Sequence, residues 1–207
     1  SIRLAFRLAE AVRAVSSVDL SHVASVFASS GGDYDVIDAI CRALTTADKF
    51  VSPTLFHNSV HNAAAGYWGI ACGSQQSSTS LSAFDETFVM GLLEAATYCT
   101  IEQQPTLLVA YDIVVPQPLR DKRAIAAPFG VALLLQPTPG SETIATLNLR
   151  FTPEVDVDTN VVTPSLQPLV TRNPIARALP LLEAIALKQG RTVNYAGQSA
   201  ISVEMFH

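Results

Sequence analysis

Two histidines, His57 and His61, stand four apart in the stretch LFHNSVHNAAAGYWGIACGS, residues 55–74. On a helix that spacing puts both imidazoles on one face, where two rings can hold one metal ion. A structural zinc needs four ligands and a catalytic zinc three. The nearby supply is poor, because Cys72 is eleven residues beyond His61 and no Glu follows His57 directly. No metal site is therefore expected. The plainer reading has both rings, with Asn58 and Asn62, hydrogen-bonding backbone at a tight packing site.

A second cluster holds Ser77, Ser78, Ser80, Ser82, Asp85 and Glu86. Serine, histidine and carboxylate together could make a hydrolase triad. No G-x-S-x-G elbow is present, however, and serines ahead of an apolar helix usually serve as caps and turns. Asp85 and Glu86 are adjacent, so they do not face one another as a paired acid and base must. Their plain role is to open a helix at its positive end. Gly31-Gly32 belongs to no phosphate-binding pattern, and no cofactor is expected.

The elements that must carry these residues follow from periodicity. Residues 2–15 show apolar side chains at helical spacing with Arg3, Arg7, Glu10 and Arg13 between them. Residues 22–28 (HVASVFA) read as a short buried strand, and 33–45 as a helix. Ala63, Ala64, Ala65 and Gly66 permit close backbone packing. A short strand is expected within 75–82 and a helix over 84–99, where Phe84, Phe88, Leu92 and Ala95 recur at four, four and three. Eleven of the twelve prolines lie at position 105 or later. That part offers strands at 106–113, within 125–136, at 144–151 and at 200–206, a loop over 153–168 and a helix over 174–188. Alternating strands and helices followed by a strand-rich tail predict an α/β layered domain.

Composition narrows the function classes. The 207 residues are 49% hydrophobic and 15% charged, with a mean hydropathy of +0.30, which points to heavy burial, an oligomeric interface or both. A net charge of −5 without basic clustering gives nothing to attract nucleic acid. Arg120, Lys122 and Arg123 are the one dense basic group and read as a solvated loop. Cys41, Cys72 and Cys99 form no CxxC, and all three read as buried inert thiols. An odd count without a framework points to a reducing, cytoplasmic setting. No stretch has the length of an uncharged membrane span, and residues 1–10 do not form a signal peptide. The chain opens inside a helical pattern, so an earlier natural start is expected.

Residues 56–94 resemble the nucleophile region of the β-ketoacyl synthases, in the thiolase-like superfamily. In that family an N-x-A-A-G-x-x-S-I helix leads through a glycine turn to a strand ending in T-A-C. The cysteine of that motif opens a buried helix. Here NAAAGYWGI (62–70) matches the helix, Gly73 the turn and STSL (78–81) the strand. Counted without gaps from Gly66, the family's cysteine falls on Asp85. Gly91, Leu92, Leu93, Glu94 and Ala95 match the helix that follows, while TLLVAYD (106–112) and PFGVALLLQ (128–136) are weaker matches to later strands. The likeness covers about residues 1–136, and the whole is similar to a smaller ketosynthase N-terminal-like, or chain-length-factor-like, family found with aryl-polyene and related lipid biosynthesis.

The resemblance implies one ketosynthase N-terminal-like domain over 1–207, a thiolase-like half-domain with a mixed sheet covered by helices. Residues 137–207 would be a strand-rich extension, and the tail from 143 to 207 is expected to be too short to supply the second ketosynthase half. Without a cysteine at the junction or a downstream histidine pair (the fourth histidine besides His22, His57 and His61 is His207), it implies a non-catalytic subunit. Its partners would be a ketosynthase and an acyl carrier protein, in a homo- or hetero-oligomer of fatty-acid or polyketide synthesis. Residues 75–82 would lie at a subunit interface, and Phe84, Asp85 and Phe88 beside an acyl tunnel. The alternative is a residual acyl-thioester enzyme, a hydrolase, decarboxylase or acyltransferase, using Asp85 with His57 or His61.

Overall fold

The computed structural model describes residues 1–125, 127–152, 157–197 and 200–206. The chain runs α1 (Ile2–Val15), β1 (Ala24–Ala28), α2 (Tyr34–Leu44), α3 (Pro53–Asn58), α4 (Ala63–Cys72), β2 (Ser78–Leu81), α5 (Thr87–Ile101), β3 (Thr106–Asp112) and β4 (Phe129–Leu135). It continues with β5 (Thr146–Phe151), the single turn α6 (Gln167–Val170), α7 (Leu179–Ala186), β6 (Arg191–Tyr195) and β7 (Ile201–Phe206). Two sheets result: a four-stranded one in the order β2-β1-β3-β4 and a three-stranded one in the order β5-β7-β6.

β2, β1 and β3 are mutually parallel, while β4 returns antiparallel beside β3. Every residue of β1 and β3 is buried. Central parallel strands covered on both faces carry continuous apolar runs for that reason. The period of two divides their side chains between two cores. Val26, Ala28, Leu108 and Ala110 face Phe88, Leu92 and Ala95 of α5. Phe27, Leu107, Val109 and Tyr111 face Ala5 and Ala9 of α1 and Ala64, Ala65 and Trp68 of α4. Each large side chain so buried contributes about 1.5–3 kcal/mol. Gly91 sets the approach of α5 to the sheet, since a Cβ there would stand 2.9 Å from Ala28 Cβ and 3.2 Å from Leu108 Cδ1.

The second sheet joins the α5 core. Val193 and Tyr195 of β6 and Ile201, Val203 and Met205 of β7 pack into the same cluster as Phe88, Ile175 and Leu181. The mixed α/β architecture expected from the sequence is present. Several elements differ locally. β6 was not anticipated, since Arg191–Tyr195 offers only two buried side chains after Gly190. The helix expected over 174–188 is a 3-10 turn (Pro174–Ala178) followed by α7. Pro180 has no N–H and would clash with the Ala176 carbonyl of a continuous α-helix, so the α-helix starts only at Leu179. The segment read as a loop over 153–168 contains a 3-10 turn at Pro164–Leu166 and leads into α6; residues 153–156 lie outside the described residues. His207, the terminal histidine, does too.

Candidate functional site

In parallel sheets the loops after the strands' carboxyl ends gather at one edge and build sites there. β1 ends in Ser29-Ser30-Gly31-Gly32, β2 in residues 82–86, and β3 in Asp112. Asp112 is 1% exposed and spends both carboxylate oxygens on the β1 loop. Its Oδ1 accepts from Ser29 Oγ at 3.1 Å and Ser30 N at 2.9 Å, and its Oδ2 from Ser30 Oγ at 2.7 Å. Desolvation pushes its pKa above the usual carboxylate value, against hydrogen bonds from Ser30 and Ser29 and the charge of Arg123. The Ser29 hydroxyl in turn accepts from Gly32 N at 3.0 Å. Ser82 Oγ donates to the Ser30 carbonyl at 3.0 Å, tying the β2 loop to the β1 loop.

The histidines are not the pair that their spacing suggests. α3 ends at Asn58 and α4 begins at Ala63, so His57 closes one helix while His61 lies in the turn before the next. They share no helix face. His61 Nε2 meets the Ser29 carbonyl at 3.0 Å, and since a carbonyl only accepts, the ring donates through Nε2. His57 stands edge-on to Tyr67, with centroids 6.1 Å apart. Among the described residues no three His, Cys, Asp or Glu gather as a metal cluster. Asn62 precedes α4 without a side-chain cap, and Gly73 ends that helix at φ +67° as the expected glycine turn.

Asp85 sits in a 3-10 turn, Phe84–Glu86, just ahead of α5, not within the helix. The turn is pinned by Thr87, whose Oγ1 donates to the Phe84 carbonyl at 2.7 Å and accepts from Ala83 N at 3.0 Å. Phe84 adopts φ +51°, a left-handed conformation rarely taken by a bulky residue. The residue is 64% exposed. Phe88, one turn into the helix, is fully buried against Tyr195, with ring centroids 5.9 Å apart.

Two arginines converge on Asp85. Arg123 Nη1 donates to its Oδ1 at 2.5 Å, and the Arg123 guanidinium lies 3.9 Å from the Phe84 ring centroid. Arg177 Nη1 donates to the Asp85 carbonyl at 2.8 Å, while its Nη2 serves Asp158 Oδ1 at 2.6 Å and the Ala196 carbonyl at 2.7 Å. Neither arginine was singled out for this role from sequence. Arg123 was read as part of a solvated loop, yet its side chain is only 17% exposed. The misreading is physical: a charge run on a loop is usually solvated, and a carboxylate 38 residues upstream is invisible to local pattern. Cys41 likewise departs from expectation, being exposed where a buried thiol was read; Cys72 is partly buried and Cys99 buried.

Among the described residues β2 is an edge strand paired only with β1. A groove of about 540 Å³ runs between it and α4, lined by Ser78, Ser80, Gly66, Trp68 and Ile70 among others. Ile70 is 81% exposed and Tyr67 partly so. No helix among the described residues is long and apolar enough to cross a membrane.

The family model for the β-ketoacyl synthase N-terminal domain matches residues 3–192. Its match runs beyond residue 136 into the second sheet. No curated protein matches the chain. Solved structures with similar folds include the ketosynthase ApeO in complex with its chain length factor ApeC from Xenorhabdus doucetiae, at TM-score 0.70 and 22% identity, covering 100% of this chain and 76% of that one. The ishigamide ketosynthase/chain length factor aligns at TM-score 0.63 and 15% identity over 93% of this chain and 74% of that one. The 3-oxoacyl-(acyl carrier protein) synthase III FabH from Pseudomonas aeruginosa PAO1 aligns at TM-score 0.53 and 16% identity over 100% and 83%.

Proposed function

The chain belongs to the β-ketoacyl synthase N-terminal domain family, and from that premise we propose that it is a non-catalytic, chain-length-factor-like partner of a ketosynthase in aryl-polyene-type fatty-acid or polyketide synthesis. One observation carries this reading. The turn that would hold the family's nucleophile holds Asp85, whose carboxylate is engaged by Arg123. A carboxylate is a weak nucleophile toward a thioester, and ion pairing weakens it further. Among the described residues its polar partners are Arg123 and Arg177, and neither is a histidine that could serve as its proton carrier.

The partner surface fits the same reading. A parallel edge strand beside the exposed face of α4 is a place where a second subunit can add to the sheet. Similar folds occur in ketosynthase/chain length factor complexes, which supports a ketosynthase as that second subunit. An acyl carrier protein would engage the assembled pair, and the setting would be cytoplasmic. Phe84 and Asp85 would then border the acyl path, with Phe88 behind them in the wall.

The test is co-expression with any ketosynthase that its own gene neighbourhood encodes. A stable heteromer on size exclusion that elongates acyl-carrier-bound substrate, and an isolated chain that does not, is the expected outcome. Asp85→Cys in the isolated chain should remain inactive. Failure to bind the neighbouring ketosynthase, or condensation by the isolated chain, would sink the proposal.

A further inference from the structure

We propose that Arg123, beneath the Phe84–Asp85 turn, is the receptor for a small-molecule carboxylate, and that Asp85 is the internal carboxylate that competes with such a ligand for the same cation. A guanidinium has two edges able to grip a carboxylate with two parallel bonds, Nη1/Nη2 and Nε/Nη2. Asp85 uses a single nitrogen, Nη1. The Nε/Nη2 edge is buried, and neither nitrogen has an acceptor among the described residues. Buried charged donors without acceptors are costly and rare, so an edge of this kind marks where two coplanar oxygens fit.

Burial is also asymmetric within the ion pair. Arg123 is 17% exposed and Asp85 56%. The cation is built into the protein, and the anion sits on a turn near the surface. Asp112, the other carboxyl that feels Arg123, spends both oxygens on Ser29 and Ser30 and does not fill the edge.

The cover over this cation is strained. Phe84 is held at φ +51° with its ring over the guanidinium face and most of its surface in solvent. Lifting the turn releases that backbone conformation and uncovers the arginine. With the Phe84 ring stacked on one face of the guanidinium, a ligand must approach in the guanidinium plane, which suits a planar carboxylate better than a tetrahedral phosphate. Arg177, bonded to the Asp85 carbonyl, adds positive potential and has its own buried Nε without an acceptor among the described residues. The inference does not depend on the subunit reading above, because it is tested on this chain alone.

The experiment follows the arginine Nε–H resonances by 1H–15N NMR while the full chain is titrated with acetate, malonate or phosphate. Acetate and malonate should move the Arg123 signal saturably, and phosphate should act more weakly. Asp85→Asn removes the internal competitor and should tighten acetate binding about fivefold, the size expected of a largely exposed ion pair. Arg123→Lys keeps the charge but not the fork and should weaken binding at least about tenfold. An Arg123 signal unmoved by either carboxylate in the unsubstituted chain overturns the proposal without recourse to any variant. So does acetate binding that is equal in Arg123→Lys, or phosphate binding tighter than acetate.

Discussion

Replacing Asp112 by alanine tests whether the carboxyl edge of the parallel sheet is held together by this one side chain. Three donors would lose their acceptor: Ser29 Oγ, Ser30 N and Ser30 Oγ. The two hydroxyls can rotate toward other acceptors, but the Ser30 amide cannot. A buried donor left without a partner costs about 1–3 kcal/mol, so Asp112→Ala should lose about 3 kcal/mol in all. Asp112→Asn should lose about 1 kcal/mol or less, because its carbonyl oxygen can keep the two Oδ1 bonds and Ser30 Oγ can turn to accept from the amide. Urea unfolding of the three proteins measures both differences.

The pH dependence gives the same residue an independent signature. Burial raises the folded pKa of Asp112 above its unfolded value near 3.8. The folded state therefore holds its proton more tightly. The contribution is fully present below the unfolded pKa, is lost as pH rises through the folded pKa, and is flat beyond it. Asp33 and Glu183 slope the other way, since hydrogen bonds hold their carboxyls low despite desolvation. The difference between the unsubstituted chain and Asp112→Asn removes those background terms. It should be most favourable to the unsubstituted chain at the acid end and should fall toward neutrality. A difference that grows with pH, or an Asp112→Ala cost under about 1 kcal/mol, would refute the reasoning.

Three further outcomes are expected. Gly91→Val puts a branched side chain where even a Cβ meets Ala28 at 2.9 Å; overpacking of this kind costs at least about 1–3 kcal/mol, read as a lower urea midpoint. Ile70→Asp should change the stability of the isolated chain by no more than about 0.5 kcal/mol, because the side chain is exposed. The same substitution should weaken heteromer formation at least about tenfold if α4 and β2 form the interface, as measured by titration calorimetry. Cys41 should react with a thiol reagent in the folded chain, while Cys99, buried and with its pKa raised by desolvation, should react only on unfolding.

The sequence was most readable where one period dominated a long segment. α1 follows from apolar spacing over four turns, and β3 from an uninterrupted apolar run that only a central parallel strand can bury. It was least readable where a short element depends on distant partners. β6 exists because β7 supplies its hydrogen bonds, ten residues further along the chain. The His57/His61 spacing does not translate into a shared face, because Ser59-Val60 interrupts the helix between them and leaves the two rings on separate elements. Asp112 was legible as the last letter of a strand. Its role was not, because the donors it serves lie more than eighty residues upstream.

Asp85 shows how far an ungapped count from Gly66 can reach. It placed a carboxylate at a strand–helix junction, and the junction is there, between β2 and α5. It could not supply Arg123 and Arg177, which come from a loop and a 3-10 turn, 38 and 92 residues further along the chain. Those two residues change the meaning of the aspartate. An unpaired carboxylate at a helix start could act as a base or a crude nucleophile. A carboxylate paired to a largely buried guanidinium beneath the turn that carries it fits an internal competitor at a carboxylate receptor instead. The residue that looks like a vestige of catalysis is then better understood through the arginine that holds it.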